Sequence, residues 1–156
     1  MRILVVSDSH GNDVGLLRAH EQAGPCDLVI HTGDGEQDAA ALEAVLGCTV
    51  LRVAGNCDVG SRAERELVLQ LSGIRCLITH GDRYGVKSGL ERLVQQAEAL
   101  DVDLILYGHT HHARCDRFGN RLFVNPGALT RQNDTPSYAI VMIEASGVTA
   151  ALHPLL

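Results

Sequence analysis

Two histidines one residue apart, His109 and His111, follow directly on the apolar run Leu104-Ile105-Leu106-Tyr107 and a single glycine, Gly108. Such a run reads as a buried strand that empties into a loop, and loops at strand ends are where side chains converge on a ligand. A regular strand would aim both imidazoles to one face, whereas a glycine-led turn splays them so that each serves a different ion. Four more apolar runs end in metal-ligand residue types: Asp8 and His10, then Asp34, then Asn56, then His80. Hard oxygens mixed with imidazole nitrogens suit manganese, iron, zinc or nickel. Seven donors exceed what one ion uses and fit two ions that share a carboxylate. Asp34, flanked by Gly33 and Gly35, is the natural bridge, because the glycines let backbone and metal approach closely. Two divalent ions ~3.5–4 Å apart clamp a phosphoryl group and acidify the water between them.

The elements that must position these residues follow from the apolar pattern. Ile3 to Val6 predicts a central strand covered on both faces, followed by a helix that carries Val14, Leu16, Leu17 and Ala19 on its apolar stripe. Asp13 reads as the cap of that helix, which stops at Gly24-Pro25, and His20 as a surface residue on it. Leu28 to Ile30 is a second strand, with His31 a satisfied core histidine. A helix from Asp38 to Leu46 ends at Gly47, and Thr49 to Val53 is a third strand. From Glu66 the pattern turns antiparallel, with Leu67 to Leu71 and Ile74 to Thr79 as a hairpin about Ser72-Gly73. Ser88 and Glu91 are spaced as a capping box for a helix with Leu90, Leu93, Val94, Ala97 and Leu100 on its inner face. Short strands follow at Ala113 to Phe118, Arg121 to Val124, Tyr138 to Glu144 and Val148 to His153. No repeat, low-complexity tract or interdomain linker interrupts them, so residues 1–156 read as one α/β domain.

Composition narrows the class of function. The chain is 46% hydrophobic but only 3% aromatic, so its core must be aliphatic side chains packed between sheets and helices. A net charge of −6 argues against long nucleic acids, though several acids are candidates for neutralisation by metal. The five cysteines, Cys26, Cys48, Cys57, Cys76 and Cys115, are odd in number and lack CxxC spacing, which points to reduced thiols in a cytosol. The apolar run after Met1-Arg2 is too short for a signal peptide or a membrane span, so a soluble cytoplasmic protein is expected.

In order along the chain, Asp8-Ser9-His10, Gly33-Asp34, Gly55-Asn56-Cys57-Asp58, Thr79-His80-Gly81 and Gly108-His109-Thr110-His111 resemble the five motifs of the calcineurin-like metallophosphoesterase superfamily. The short length, Cys57 and Asn125-Pro126-Gly127 more narrowly resemble its small bacterial and archaeal phosphodiesterases, which are also similar to the phosphoesterase-fold subunit of eukaryotic retromer. The resemblance implies a four-layer α/β sandwich of two mixed β-sheets flanked by helices. It places Asp8, His10, Asp34 and His111 on a first ion and Asp34, Asn56, His80 and His109 on a second. Manganese is the commonest metal of the family, with nickel, iron and zinc as alternatives. Three departures stand out: Cys57 where relatives carry a histidine that assists the leaving group, Asp82 in place of a histidine after His80-Gly81, and Ala128 where serine is usual after Asn-Pro-Gly.

Around the ions, Asn12 and Asn56 are expected to hold nonbridging phosphate oxygens and Arg83 to pair with them bidentately. Arg131 is a further exposed arginine and His112 a further substrate contact. Asp58 is expected to accept the free N–H of a ligand imidazole. The expected activity is hydrolysis of a small phosphodiester by in-line attack of a metal-bridging hydroxide, with no covalent enzyme intermediate. Phosphomonoesterase, nuclease and a non-catalytic protein-binding scaffold of retromer type are the rival readings, and homo-oligomerisation is left open.

Overall fold

Strand β1 (Arg2–Val6) shows why the apolar runs are continuous rather than alternating. Its side chains point in turn to two different cores, Ile3 and Val5 between the sheets and Leu4 and Val6 toward helices, and all four are fully buried. The computed structural model describes residues 1–156. β1 pairs parallel with β2 (Leu28–His31), which pairs parallel with β3 (Val50–Arg52). On its other side β1 pairs antiparallel with β9 (Ser137–Glu144), and β10 (Gly147–Pro154) completes a five-stranded sheet. The second five-stranded sheet runs β4 (Glu66–Leu71), β5 (Ile74–Thr79), β6 (Leu104–Leu106), β8 (Arg121–Pro126) and β7 (Ala113–Phe118). Its three middle strands are mutually parallel and both of its outer pairings are antiparallel.

Both sheets bury one face against each other. Ile30, Ile78, Leu104, Leu106 and Val124 interdigitate there with Ile3 and Val5. Helices α1 (Asp13–Ala23) and α2 (Glu36–Leu46) cover the outer face of the first sheet, and α3 (Glu91–Ala99) packs Leu93 and Ala97 on Leu77, Ile105 and Phe123 of the second. The result is the expected four-layer sandwich of two mixed sheets between helices. No helix is long and apolar enough to cross a membrane.

Three local expectations are corrected. Asn12, not Asp13, caps α1, its Oδ1 accepting from the Gly15 N–H at 3.1 Å. Val14 is off the buried stripe and 56% exposed, because the cap sets the helix so that Gly15, Leu16, Ala19 and Ala23 face inward. Ser88 forms no capping box: its own N–H closes a turn onto Gly85, Gly89 at φ 155° breaks the chain direction, and Leu90 sits at the N-cap.

The outer core of the second sheet depends on one large ring. Phe123 is fully buried among Leu77, Ile105 and Tyr107, so Phe123→Ala should cost about 3–5 kcal/mol. A chemical denaturation midpoint moved by much less than that would show that α3 closes over the gap.

Candidate metal centre

All five motif loops leave the carboxyl ends of parallel strands, β1, β2, β3, β5 and β6, so they meet at one mouth of the sandwich. Reaching a common point takes unusual backbone. Seven non-glycine residues have positive φ, and five of them are Asp8 (51°), His10 (46°), Asp34 (57°), His109 (69°) and His111 (63°). Left-handed backbone at non-glycine residues is costly and persists where the surroundings enforce it, commonly at functional sites. Gly108 marks a tight approach, since a Cβ there would run into the Ser7 hydroxyl and the Asp8 carboxylate.

The two buried carboxylates are each half committed. Asp8 Oδ2 accepts from the His109 N–H at 3.0 Å and from the Ser7 hydroxyl, while Oδ1 has no hydrogen-bond partner. That free oxygen lies 3.1 Å from His111 Nε2 and 3.8 Å from His10 Nε2. Asp34 Oδ1 accepts from the Cys57 N–H at 2.8 Å, leaving Oδ2 3.3 Å from His80 Nε2 and 3.8 Å from His10 Nε2. His80 is fully buried, and its Nδ1 donates to the Thr32 carbonyl at 3.0 Å. A neutral His80 therefore turns an Nε2 lone pair at the Asp34 carboxylate and at His109 Nδ1, 3.1 Å away. Burial by itself lowers the His80 pKa, but the Asp34 hydrogen bond and the Asp8 charge outweigh it and hold a proton on the ring. Burial likewise disfavours charge on both carboxylates, yet their histidine contacts keep both pKa values below the usual range. A cation between these atoms would replace that proton, which is the arrangement of a ligand imidazole oriented by a carbonyl.

Donor atoms from Asp8, His10 and His111 lie within 4.8 Å of one another and can hold one ion; Asp34, His80 and His109 form a second such group. His109 and His111 thus fall into different groups, as the glycine-led turn suggested. His10, Asp34 and Cys57 form a third group that the sequence reading did not anticipate. Asn56 is exposed beside it, its Nδ2 3.3 Å from Cys57 Sγ.

Other expectations change. Asn12 is occupied at the cap and by a 2.6 Å bond from its Nδ2 to the Leu129 carbonyl, so its amide is spent on structure and not offered to a phosphate. Asp58 takes no N–H from an imidazole, because its oxygens accept four backbone N–H groups, of Asp34, Gly35, Glu36 and Gly55, at 2.8–3.0 Å. It is the clasp of the Asp34 loop. Arg83 is exposed and makes no hydrogen bond; Arg65 instead joins the third and fourth motif loops, donating to the Gly55 carbonyl at 2.6 Å and to Asp82 at 2.7 Å. Arg131 reaches Asn12 at 3.3 Å, and His112 is exposed.

Residues that the sequence reading left out of the site hold the loops from behind. His31 is buried, accepting from the Gly33 N–H at 3.2 Å on Nδ1 and meeting Ser9 Oγ at 3.1 Å through Nε2. The Ser9 hydroxyl donates to Asp38 at 2.5 Å, and Asp38 also accepts from the Gly11 N–H at 2.8 Å. Buried Asn125 ties the last loop, donating to the Gly108 carbonyl at 2.9 Å and Thr110 Oγ1 at 3.0 Å. Of these, the sequence pointed to His31 as a satisfied core histidine and, through the Asn125-Pro126-Gly127 motif, to Asn125.

Residues 1–146 match the family model described as the calcineurin-like phosphoesterase superfamily domain. The chain is 35% identical to the probable metallophosphoesterase YsnB of Bacillus subtilis over 158 aligned positions, 98% of this chain and 90% of that protein. The crystal structure of Vps29 from Entamoeba histolytica complexed with zinc is 24% identical and superposes with a TM-score of 0.82 over all of this chain and 93% of that one. An archaeal phosphodiesterase, 21% identical, gives a TM-score of 0.78 over 98% of this chain and all of that one. At those identities the two structures establish the shared fold.

Two outcomes follow from the supports. Asp58→Asn turns an NH₂ toward two of the four N–H donors and should cost about 3 kcal/mol while loosening Asp34; unaltered stability with unaltered metal affinity would discount the clasp. Burial lowers the His31 pKa from 6.5 to about 4. The unfolded chain then takes up a proton that the folded chain refuses. This contribution is fully present above about pH 6.5, is lost as pH falls toward 4, and amounts to about 3 kcal/mol. Denaturation of wild type and His31→Gln across that window should show the shallower pH dependence in the variant.

Proposed function

Because the chain belongs to the calcineurin-like phosphoesterase superfamily, we propose that it is a dinuclear-metal phosphodiesterase acting on small phosphodiesters. The observation that supports this most is the inward-facing donor set, Asp8 Oδ1 with no hydrogen-bond partner and His80 Nε2 turned to Asp34 at 3.3 Å. Buried polar atoms without partners are expensive, and a scaffold with no chemistry has little reason to retain them. In this reading Asp8, His10 and His111 hold one ion, His80 and His109 with the Asn56 carboxamide hold the other, and Asp34 bridges. Manganese is the favoured metal. When bound, the ions supply Lewis-acid polarisation of a phosphoryl oxygen and lower the pKa of water held between them.

The chain's own residues set the preference for a diester. The cleft of about 340 Å³ that opens on His10, Asp34 and Cys57 is lined also by Glu36, Asp38 and Asp58, with no lysine or arginine. A monoester dianion would meet carboxylates there with no fixed cation, whereas a diester brings one negative charge. Cys57 stands where relatives carry the leaving-group histidine; burial and the Asp34 carboxylate keep its thiol protonated, and no imidazole is at that position. Esters whose alcohol leaves without a proton, such as nitrophenyl diesters, should therefore be the best substrates.

Metal analysis of chain loaded with manganese should give two ions in wild type and one in His111→Ala or His109→Ala. Asp34→Asn should lose more diesterase activity than the ~10–100-fold typical of an outer partner. Two retained ions in both histidine variants, or wild-type turnover in Asp34→Asn, would refute this assignment. The ion held by His80 and His109 must displace the proton that Asp34 holds on His80, so manganese affinity at that position should weaken as pH is lowered, read by titration calorimetry at about pH 8 and pH 6.

A further inference from the structure

The geometry points to a second, cationic subsite beside the metal centre, formed by Lys87 with Ser88, Thr110 and His112, that binds an additional phosphate on one arm of the substrate. Lys87 is the only lysine in the chain. It lies in the connection between the 3-10 turn Asp82–Tyr84 and α3, held between buried Val86 and buried Leu90, with its own side chain exposed. No carboxylate pairs with it, whereas the neighbouring Arg114 is tied to Asp116 at 2.5 Å. The cavity these residues line measures about 510 Å³ and includes Tyr107 and Gly89.

Its position relative to the chemistry is fixed by one short loop. Thr110 sits between His109 and His111 and lines the cavity, its hydroxyl oxygen accepting a 3.0 Å bond from Asn125 Nδ2. A separate cleft, which opens on His10, Asp34 and Cys57 and shares no lining residue with this cavity, is walled by Glu36, Asp38 and Asp58. The loops of the metal centre therefore border both an acidic cleft and an unpaired cation. A diester with a second phosphate on one arm has only one favourable orientation, with that phosphate toward Lys87 and the other arm in the acidic cleft. Unpaired lysine with hydroxyl and imidazole donors is suitable chemistry for phosphate, as a point charge surrounded by neutral donors.

This inference rests on the phosphodiesterase reading for the substrate class, but binding tests it without turnover. Titration calorimetry on the manganese-loaded chain would compare thymidine 3′,5′-bisphosphate with thymidine 5′-phosphate, so that contacts to the metal centre cancel in the ratio. Wild type should bind the bisphosphate about tenfold more tightly, an advantage expected of one charge-assisted phosphate contact. Lys87→Glu should abolish or reverse it, and Lys87→Arg should keep it. Equal affinities in wild type, or an advantage that survives Lys87→Glu, would overturn the subsite. The same pair as 5′-nitrophenyl esters reports turnover: hydrolysis of neither ester alongside an intact binding advantage would support the subsite and count against the phosphodiesterase reading alone.

Discussion

Two carboxylates, Asp8 and Asp34, are buried at the mouth of the sandwich with no lysine or arginine to neutralise them. Taking charge out of water without a partner is among the costliest arrangements in a protein interior, and the rest of the site answers to it. Backbone N–H groups of His109 and Cys57 fix the outer oxygen of each carboxylate. Three histidines, His10, His80 and His111, crowd the inner oxygens, and an imidazole offsets a carboxylate's charge only by taking up a proton. The same feature that makes the chain by itself expensive makes it receptive to a divalent ion.

Holding that arrangement requires rigidity from behind. Asp58 gathers four N–H groups of two loops, Asp38 gathers the first loop through Ser9 and Gly11, and Asn125 gathers the last through Gly108 and Thr110. Each is a polar side chain that spends its hydrogen bonds on the backbone and hydroxyls of the loops, which leaves them little freedom to relax. The positive φ values at five of the converging residues are the strain that these clasps sustain. The two sheets supply the fixed frame: their fully buried strands set the loop origins, and the fold carries the strain as a local cost against an extensive aliphatic core.

Charge around the centre is uneven in a way that net charge conceals. Glu36, Asp38 and Asp58 wall one cleft of the site, while the single lysine lines another cavity. A field of that shape orients a small charged ligand as well as attracting it. Long polyanions would meet the acidic cleft as an obstacle, consistent with the composition.

The converging side chains were legible in the sequence because each is announced locally: an apolar run, a glycine, then a carboxylate, amide or imidazole. Strand and helix identities follow from the same short-range pattern, and so does the splitting of His109 from His111 by a glycine-led turn. Roles that depend on distant partners were not legible. Asn12 and Asp58 carry functional-looking side chains, and only the folded chain shows that one is consumed at a helix cap and the other as a clasp. Arg65, not Arg83, came to the site because the chain just before β4 sets its side chain between Gly55 and Asp82, and Lys87 came to line one cavity with Thr110 only through the folding of the second sheet and its helix. Residue type and spacing determined which atoms can bind a metal. The tertiary structure decided which polar atoms remain free to do so, because hydrogen bonds between loops far apart in sequence use up all the others.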